Sequence, residues 1–500
     1  MAAAANIKKR LLVVCCHKPS LDPRIGWSAN FGAENGYDVR VMGFSHDAKG
    51  LTKHNGPKSK IDEITFTPQH PSLSFRKILF LMLRHGIVPR GRDIAIWGIP
   101  LLVILPFMLV LWGFKFLGRA LKAIFLSVRH LPKGQALLNY SALYYRRYLQ
   151  ALVLWIKQLP ARAWRLVLGG RFREQIEALR GYRWYFRDHM ARLAGCVLFE
   201  VEKNGYIPDI IHAHDPDSLL AAILLKAKYG CRIIYDAHEY GPDAYLIRPK
   251  PRYLFFALER MLLKHVDAAV TVSPGLAEKY NARFHDLDFQ VLPNASPRKD
   301  GDFVAPGVGE IAKLADGRVS VLFQGGFAKH RGVEWVIDEW ARLDPKNAAL
   351  FIRGPINTYR EVLIKCAQDT GLLQRSIYFL DSVSEDQLIA YASTADIGII
   401  PYHSYVENHV GACPNKLSQY MLAGLAVMST PLPYVEEVIG LAKCGIVYDD
   451  RKAGNFGEKL SRLLEDPAKT SALGQAGRNY AKSQYNYGIF AHILLEIYEK

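Results

Sequence analysis

Three histidines, one glycine-led turn and a lysine–glutamine pair are the residues of this 500-residue chain whose types and spacing could do chemistry. His212 and His214 alternate at the carboxyl end of a strand-like run, Asp209–His214, so both can face one side. An imidazole near neutral pKa can take a proton from a hydroxyl or hydrogen-bond a substrate. The plainer alternative is that both satisfy backbone groups at a strand end. His238 follows a second such run, Arg232–Asp236. Further on, Val319–Gln324 runs into Gly325-Gly326 and reaches Arg331-Gly332 just before an amphipathic stretch, Val333–Leu343. Glycines after a strand let backbone N–H groups approach a phosphate, and an arginine can bind its oxygens bidentately. A third cluster begins Pro414-Asn415-Lys416 and ends at Gly424, the pattern of a helix start and stop. Lys416 and Gln419 then lie one turn apart on one face, suited to a diphosphate and a hydroxyl.

These residues need elements to carry them. Strand-like and helix-like runs alternate along the chain, the pattern of parallel sheets with crossover helices. One series extends from Leu11 to about Asn294. After a Pro/Gly/Asp-rich stretch, Pro293–Gly317, a second begins at Val319. Two doubly wound α/β domains would place a cleft at the carboxyl ends of their strands, where such folds bind ligands.

The charge is concentrated in one place. Between Pro71 and Arg192 there are 21 Lys and Arg against four acids, whereas the remaining residues balance at 43 against 43. Within that segment Ile94–Phe114 carries no charge. Twenty-one helical residues reach about 30 Å, enough for a bilayer core. Strand-like runs on both sides of the segment require both ends on one membrane face. Arg90, Arg92, Lys115 and Arg119 flank the run, and Pro100 and Pro106 bracket its centre. A re-entrant or interfacial helical insert on an anionic membrane surface is expected, with Trp97, Pro100, Pro106, Trp112 and Arg119 at the lipid. Nucleic acid is not expected as a partner, because it has no use for the uncharged run.

Seven scattered cysteines, without CxxC or a His/Cys spacing suited to zinc, point to reduced thiols in a cytosolic compartment. The leader Met1–Arg10 lacks an apolar core, so the body is expected to stay in the cytoplasm. Asp215-Pro216-Asp217 is read as loop and helix N-cap residues, and no metal site is expected.

Taken in order, "LDPRIGWSANFGAENGYDVRVMGF", "PDIIHAHDPDSLLAA", "DAAVTVSPGLAEKY", "FQGGFAKHRG", "YASTADIGIIPY" and "PNKLSQYMLAGLAVMSTPLP" resemble glycosyltransferase family 4. The resemblance leaves out the insert. It implies the GT-B fold, with two Rossmann-like domains facing a cleft. Residues 1–295 would be the acceptor side, interrupted by the insert 71–192; 296–475 would bind the nucleotide sugar; a helix in 476–500 would cross back to the first domain. It also implies a donor site of Gly325, Gly326, Arg331, Asn415, Lys416 and Gln419. Of the histidines it favours His214 in the active site, with His238 second. Arg24, in Asp22-Pro23-Arg24, becomes a candidate for an acceptor phosphate.

This sequence departs from the family pattern at three positions. Gly326 replaces a second arginine, Gln419 a glutamate, and Gly411 the glutamate eight residues earlier. Glu407 is a nearby substitute. The expectation is a membrane-associated hexosyltransferase, without a cofactor and independent of metal, using a UDP or GDP sugar on a polyprenyl-diphosphate saccharide at the cytoplasmic face. Retention of anomeric configuration is expected from the resemblance. An inactive membrane scaffold and a nucleotide-sugar epimerase on the same fold stay open.

Overall fold

The computed structural model describes residues 8–44, 54–55, 61–67, 70–87, 185–240, 252–298 and 309–500. Trp97, Pro100, Pro106, Trp112 and Arg119, and the run Ile94–Phe114 around them, lie outside the described residues. No helix among the described residues is long and apolar enough to cross a membrane.

Short apolar runs buried on both faces build two sheets. The first contains β1 (Arg10–Val14), β2 (Asp38–Phe44), β3 (His54–Asn55), β4 (Ile61–Phe66), β5 (Ile210–His214), β6 (Arg232–Ala237), β7 (Ala268–Thr271) and β8 (Phe289–Val291). Their order is β3-β4-β2-β1-β5-β6-β7-β8, all parallel except the edge strand β3. The second contains β9 (Val319–Gln324), β10 (Ala348–Arg353), β11 (Ile377–Leu380), β12 (Ile397–Ile400), β13 (Ala426–Ser429) and β14 (Gly445–Val447), ordered β11-β10-β9-β12-β13-β14. Leu11–Val14 of β1 and all of β10 are buried, as parallel strands covered by helices on both faces must be.

Strand order reverses between β1 and β5 in the first sheet, where Leu11 pairs Ile210, and between β9 and β12 in the second. These switch points are where an open α/β sheet leaves a crevice at its carboxyl edge. The chain ends by joining the two sheets. The helix Pro467–Ser483 lies against β13, with Gly474 too close to the carbonyl of Gly424 for any side chain. Tyr487, Ala491, Leu494, Ile497 and Tyr498 then enter the core beneath β1, β2 and β5.

By compactness the chain divides into one unit of Met82–Asp188 with Leu246–Met261 and another of everything else, including both sheets. The first of these therefore takes in a stretch, 246–261, outside the expected insert 71–192. At the start of that insert the helix Phe75–Arg84 leaves Phe75, Leu79, Phe80 and Leu83 exposed while burying Ile78 and Met82.

Candidate active site

On the second sheet, β9 ends at Gln324 and the chain turns through Gly325, whose φ of +145° suits glycine. A Cβ at Gly325 would stand 3.1 Å from Lys416 Nζ. Gly332 (φ +77°) lies so close to Pro401 that a Cβ would fall 1.7 Å from its carbonyl oxygen. This contact fastens the β9 loop to the end of β12 and sets the position of Arg331. Lys416 occupies the first turn of the helix Asn415–Ala423, whose start has no side-chain cap.

Arg331 and Lys416 converge on one phenol. Lys416 Nζ donates to Tyr402 Oη at 2.8 Å, and Arg331 Nη1 donates to the same oxygen. Both cations also lie 4.5 Å from the Tyr402 ring centroid. Neither has a carboxylate partner among the described residues. Burial raises the Tyr402 pKa, but the adjoining Lys416 and Arg331 outweigh it and bring it down to about 8. Burial beside Arg331 holds Lys416 below the ordinary lysine range. Two cations sharing a neutral phenol form a site for an anion with several oxygens. Beside them Gln324, 2% exposed, donates to Gln419 Oε1 at 3.4 Å while its own Oε1 has no partner among the described residues.

The facing wall comes from the first sheet. His238 and Glu239, after β6, and Asp22, after β1, line the same cleft, whose volume is about 610 Å³. His238 Nδ1 lies 2.9 Å from Asp22 Oδ2, and its Nε2 lies 2.9 Å from His214 Nδ1. Burial opposes charge on His238, but Asp215, Asp22 and Asp236 outweigh it and raise its pKa well above the ordinary value. Its partners suit the imidazolium, which donates through both nitrogens. His214, pushed down by burial and by His212, accepts at Nδ1, which leaves its Nε2 proton for Ser28 Oγ at 3.3 Å. The tautomers follow from these partners.

Each residue singled out from sequence has a definite place. His212 and His214 stack on one side of β5, ring centroids 4.5 Å apart, but both are fully buried, and of the three histidines His238 lines the cleft. His212 Nδ1 meets Tyr498 Oη at 2.7 Å. Gly325, Gly326, Arg331, Asn415, Lys416 and Gln419 all line the cleft. Arg24 is corrected. It is fully buried, with Nε and Nη2 on Asp236 at 2.8 and 2.9 Å and Nη1 on the Leu292 carbonyl at 2.7 Å, so its donors are committed to the fold and not to an acceptor phosphate. The N-cap reading of Asp215 and Asp217 is also corrected. The cap position is His214; Asp215 has φ +59° and accepts from the His238 N–H, and Asp217 is in the first turn.

A Cβ at Gly411 would meet the Leu276 side chain at 2.7 Å, so a glutamate there would require Leu276 to shift. Glu407 is exposed and pairs with Lys279 at 3.1 Å, away from the cleft lining. Sequence reasoning passed over Tyr402, Gln324 and Glu239, and took Asp22 only as the neighbour of Arg24. The one available signal was position: Gln324 ends β9, and Asp22, Glu239 and Tyr402 follow β1, β6 and β12.

Two Rossmann-like sheets with a cleft at their switch points define the GT-B architecture. Residues 318–466 match the family model "Glycosyl transferases group 1", and residues 141–295 match "Glycosyl transferase 4-like domain". The chain belongs to this glycosyltransferase family and is a glycosyltransferase. It is 21% identical over 314 residues to D-inositol 3-phosphate glycosyltransferase of Arthrobacter sp. (strain FB24), spanning 58% of this chain and 70% of that one. It is 28% identical over 148 residues to GDP-mannose-dependent alpha-(1-6)-phosphatidylinositol monomannoside mannosyltransferase of Mycobacterium tuberculosis (strain CDC 1551 / Oshkosh), spanning 29% of this chain and 37% of that protein. Sucrose-phosphate synthase from Thermosynechococcus elongatus shares the fold, with a TM-score of 0.58 at 13% identity over 98% of both chains.

Proposed function

We propose that this enzyme moves a hexose from a UDP or GDP sugar to a hydroxyl of a lipid-linked saccharide, of the polyprenyl-diphosphate type, at the cytoplasmic face of the membrane. The observation that carries the reading is the pair of cations, Arg331 and Lys416, meeting at the Tyr402 hydroxyl without a carboxylate. A donor diphosphate replaces the phenol as their partner. As the bond from the anomeric carbon to the diphosphate breaks, charge grows on the leaving oxygen, and the two cations stabilise it without a metal. The acceptor oxygen bonds to the anomeric carbon, and its proton passes to Glu239, a carboxylate of the cleft wall. His238, raised toward its cationic form by Asp215, Asp22 and Asp236, donates hydrogen bonds to the sugar or acceptor. His214 acts through His238 as a positioning residue. Gln324 and Gln419 hold donor hydroxyls, the role a glutamate has in the family. We propose retention of configuration on family membership.

Three points support the lipid acceptor: the basic insert with its uncharged run, the exposed Phe75, Leu79, Phe80 and Leu83, and a relative whose printed name specifies phosphatidylinositol monomannoside. Exposed apolar side chains beside Arg76, Lys77 and Arg84 suit an anionic interface. Purified protein would be given UDP, GDP and dTDP sugars in magnesium-free buffer, with and without lipid extract. Nucleotide diphosphate release with one donor, dependent on lipid and lost in Arg331→Ala, is expected. Release indifferent to lipid would reject the lipid acceptor.

A further inference from the structure

Cys16, His189 and Asp217 are far apart in sequence and meet at one point. Cys16 follows β1. His189 lies in the π-helical turn Tyr185–Met190, and Asp217 in the first turn of the helix Asp215–Tyr229. Cys16 Sγ is 3.0 Å from His189 Nε2, and that nitrogen is 3.3 Å from Asp217 Oδ2. One donor atom from each residue lies within 4.8 Å of the other two. Cys16 and Asp217 are buried, while the His189 side chain keeps 18% exposure and gives the cluster an open edge. A π-helical turn re-aims a side chain relative to a regular helix, and such turns are frequent at functional sites.

We propose that Cys16, His189 and Asp217 bind one Zn²⁺ ion, with water at the fourth position. Sulfur, imidazole and carboxylate are the donor types zinc takes, and three protein ligands leave a tetrahedral position open. Charge also balances: a thiolate and a carboxylate neutralise a dication in a buried place. On binding, zinc forms a bond to Sγ and the thiol proton leaves to solvent. A Cys-His-Asp nucleophile is the competing use of this cluster. Against it, Cys16 does not line the cleft. The ion would fasten the β1 loop that carries Asp22 to the helix that carries Asp215, both partners of His238. It takes no part in sugar transfer, and the proposal is independent of the donor and acceptor assigned above.

The test uses the full chain, loaded with Zn²⁺, desalted and measured by elemental mass spectrometry. About one zinc per chain is expected, falling at least about tenfold in Cys16→Ser and Asp217→Asn and retained in His189→Cys, which keeps a ligand while removing the imidazole. Loading with Co²⁺ should give a thiolate-to-cobalt charge-transfer band, with Cys16 protected from alkylation on peptide mapping. Equal zinc in wild type and variants means an adventitious ion only and overturns the proposal. So does a wild type that holds no zinc. If the variants fail to fold, the cobalt band and Cys16 protection in the wild type decide alone, and their absence overturns it.

Discussion

Tyr402 is the residue on which the cleft's electrostatics turn. With a pKa of about 8, the phenol is neutral below that pH and leaves both cations to an incoming diphosphate. Above it a phenolate competes for them. Donor affinity, measured by calorimetry, is therefore expected to weaken as pH rises through about 8 in the wild type and to stay level in Tyr402→Phe. Removing a cation acts differently. Arg331→Ala or Lys416→Ala withdraws stabilisation from a developing oxyanion, so kcat/KM should fall about 100- to 1,000-fold while far-ultraviolet circular dichroism is unchanged. Arg24 and Asp236 belong to the fold instead. Both are fully buried and doubly bonded to each other, so Asp236→Asn leaves a buried guanidinium uncompensated. A loss of about 3–5 kcal/mol in urea denaturation is expected.

Elements deliver these residues, and here the sequence was legible in some places and opaque in others. Val319–Gln324 followed by Gly325-Gly326 and the helix Val333–Leu343 could be read directly, because a buried strand, a glycine turn and a 3.6-residue period each leave a local mark. The same holds for Asn415–Ala423 between Pro414 and Gly424. The burial of His214 left no such mark. It depends on His238, from the neighbouring strand, standing between it and the cleft. Arg24 likewise reads as a loop cation until β6 places Asp236 beside it. The Cys16, His189 and Asp217 cluster has no sequence spacing at all. Two tests belong at this scale. Gly332→Ala puts a Cβ against the Pro401 carbonyl at a positive φ and should displace Arg331, lowering nucleotide affinity and thermal stability together. Tyr498→Phe removes the partner of the buried His212 Nδ1 and should cost about 1–3 kcal/mol, read from the unfolding midpoint.

At the scale of the whole molecule, a chain otherwise balanced in charge carries its surplus of 17 between Pro71 and Arg192. Binding to vesicles containing anionic lipid is expected to weaken as salt rises, since the Debye length shortens from about 10 Å at 0.1 M to about 3 Å at 1 M. Phe80→Glu and Leu83→Glu should weaken it further, measured by co-sedimentation. The path of the backbone adds a constraint on how the protein is made. β1 waits for Ile210 and its neighbours before its second edge is paired, and the core beneath it waits again for Leu494, Ile497 and Tyr498. During synthesis the first sheet therefore stays unfinished until Tyr498 has left the ribosome, a delay that exposes apolar surface to aggregation. The basic insert emerges between β4 and β5, well before that closure. A nascent chain would thus hold an incomplete sheet when the insert emerges, and a chaperone is what would shelter β1 in the interval.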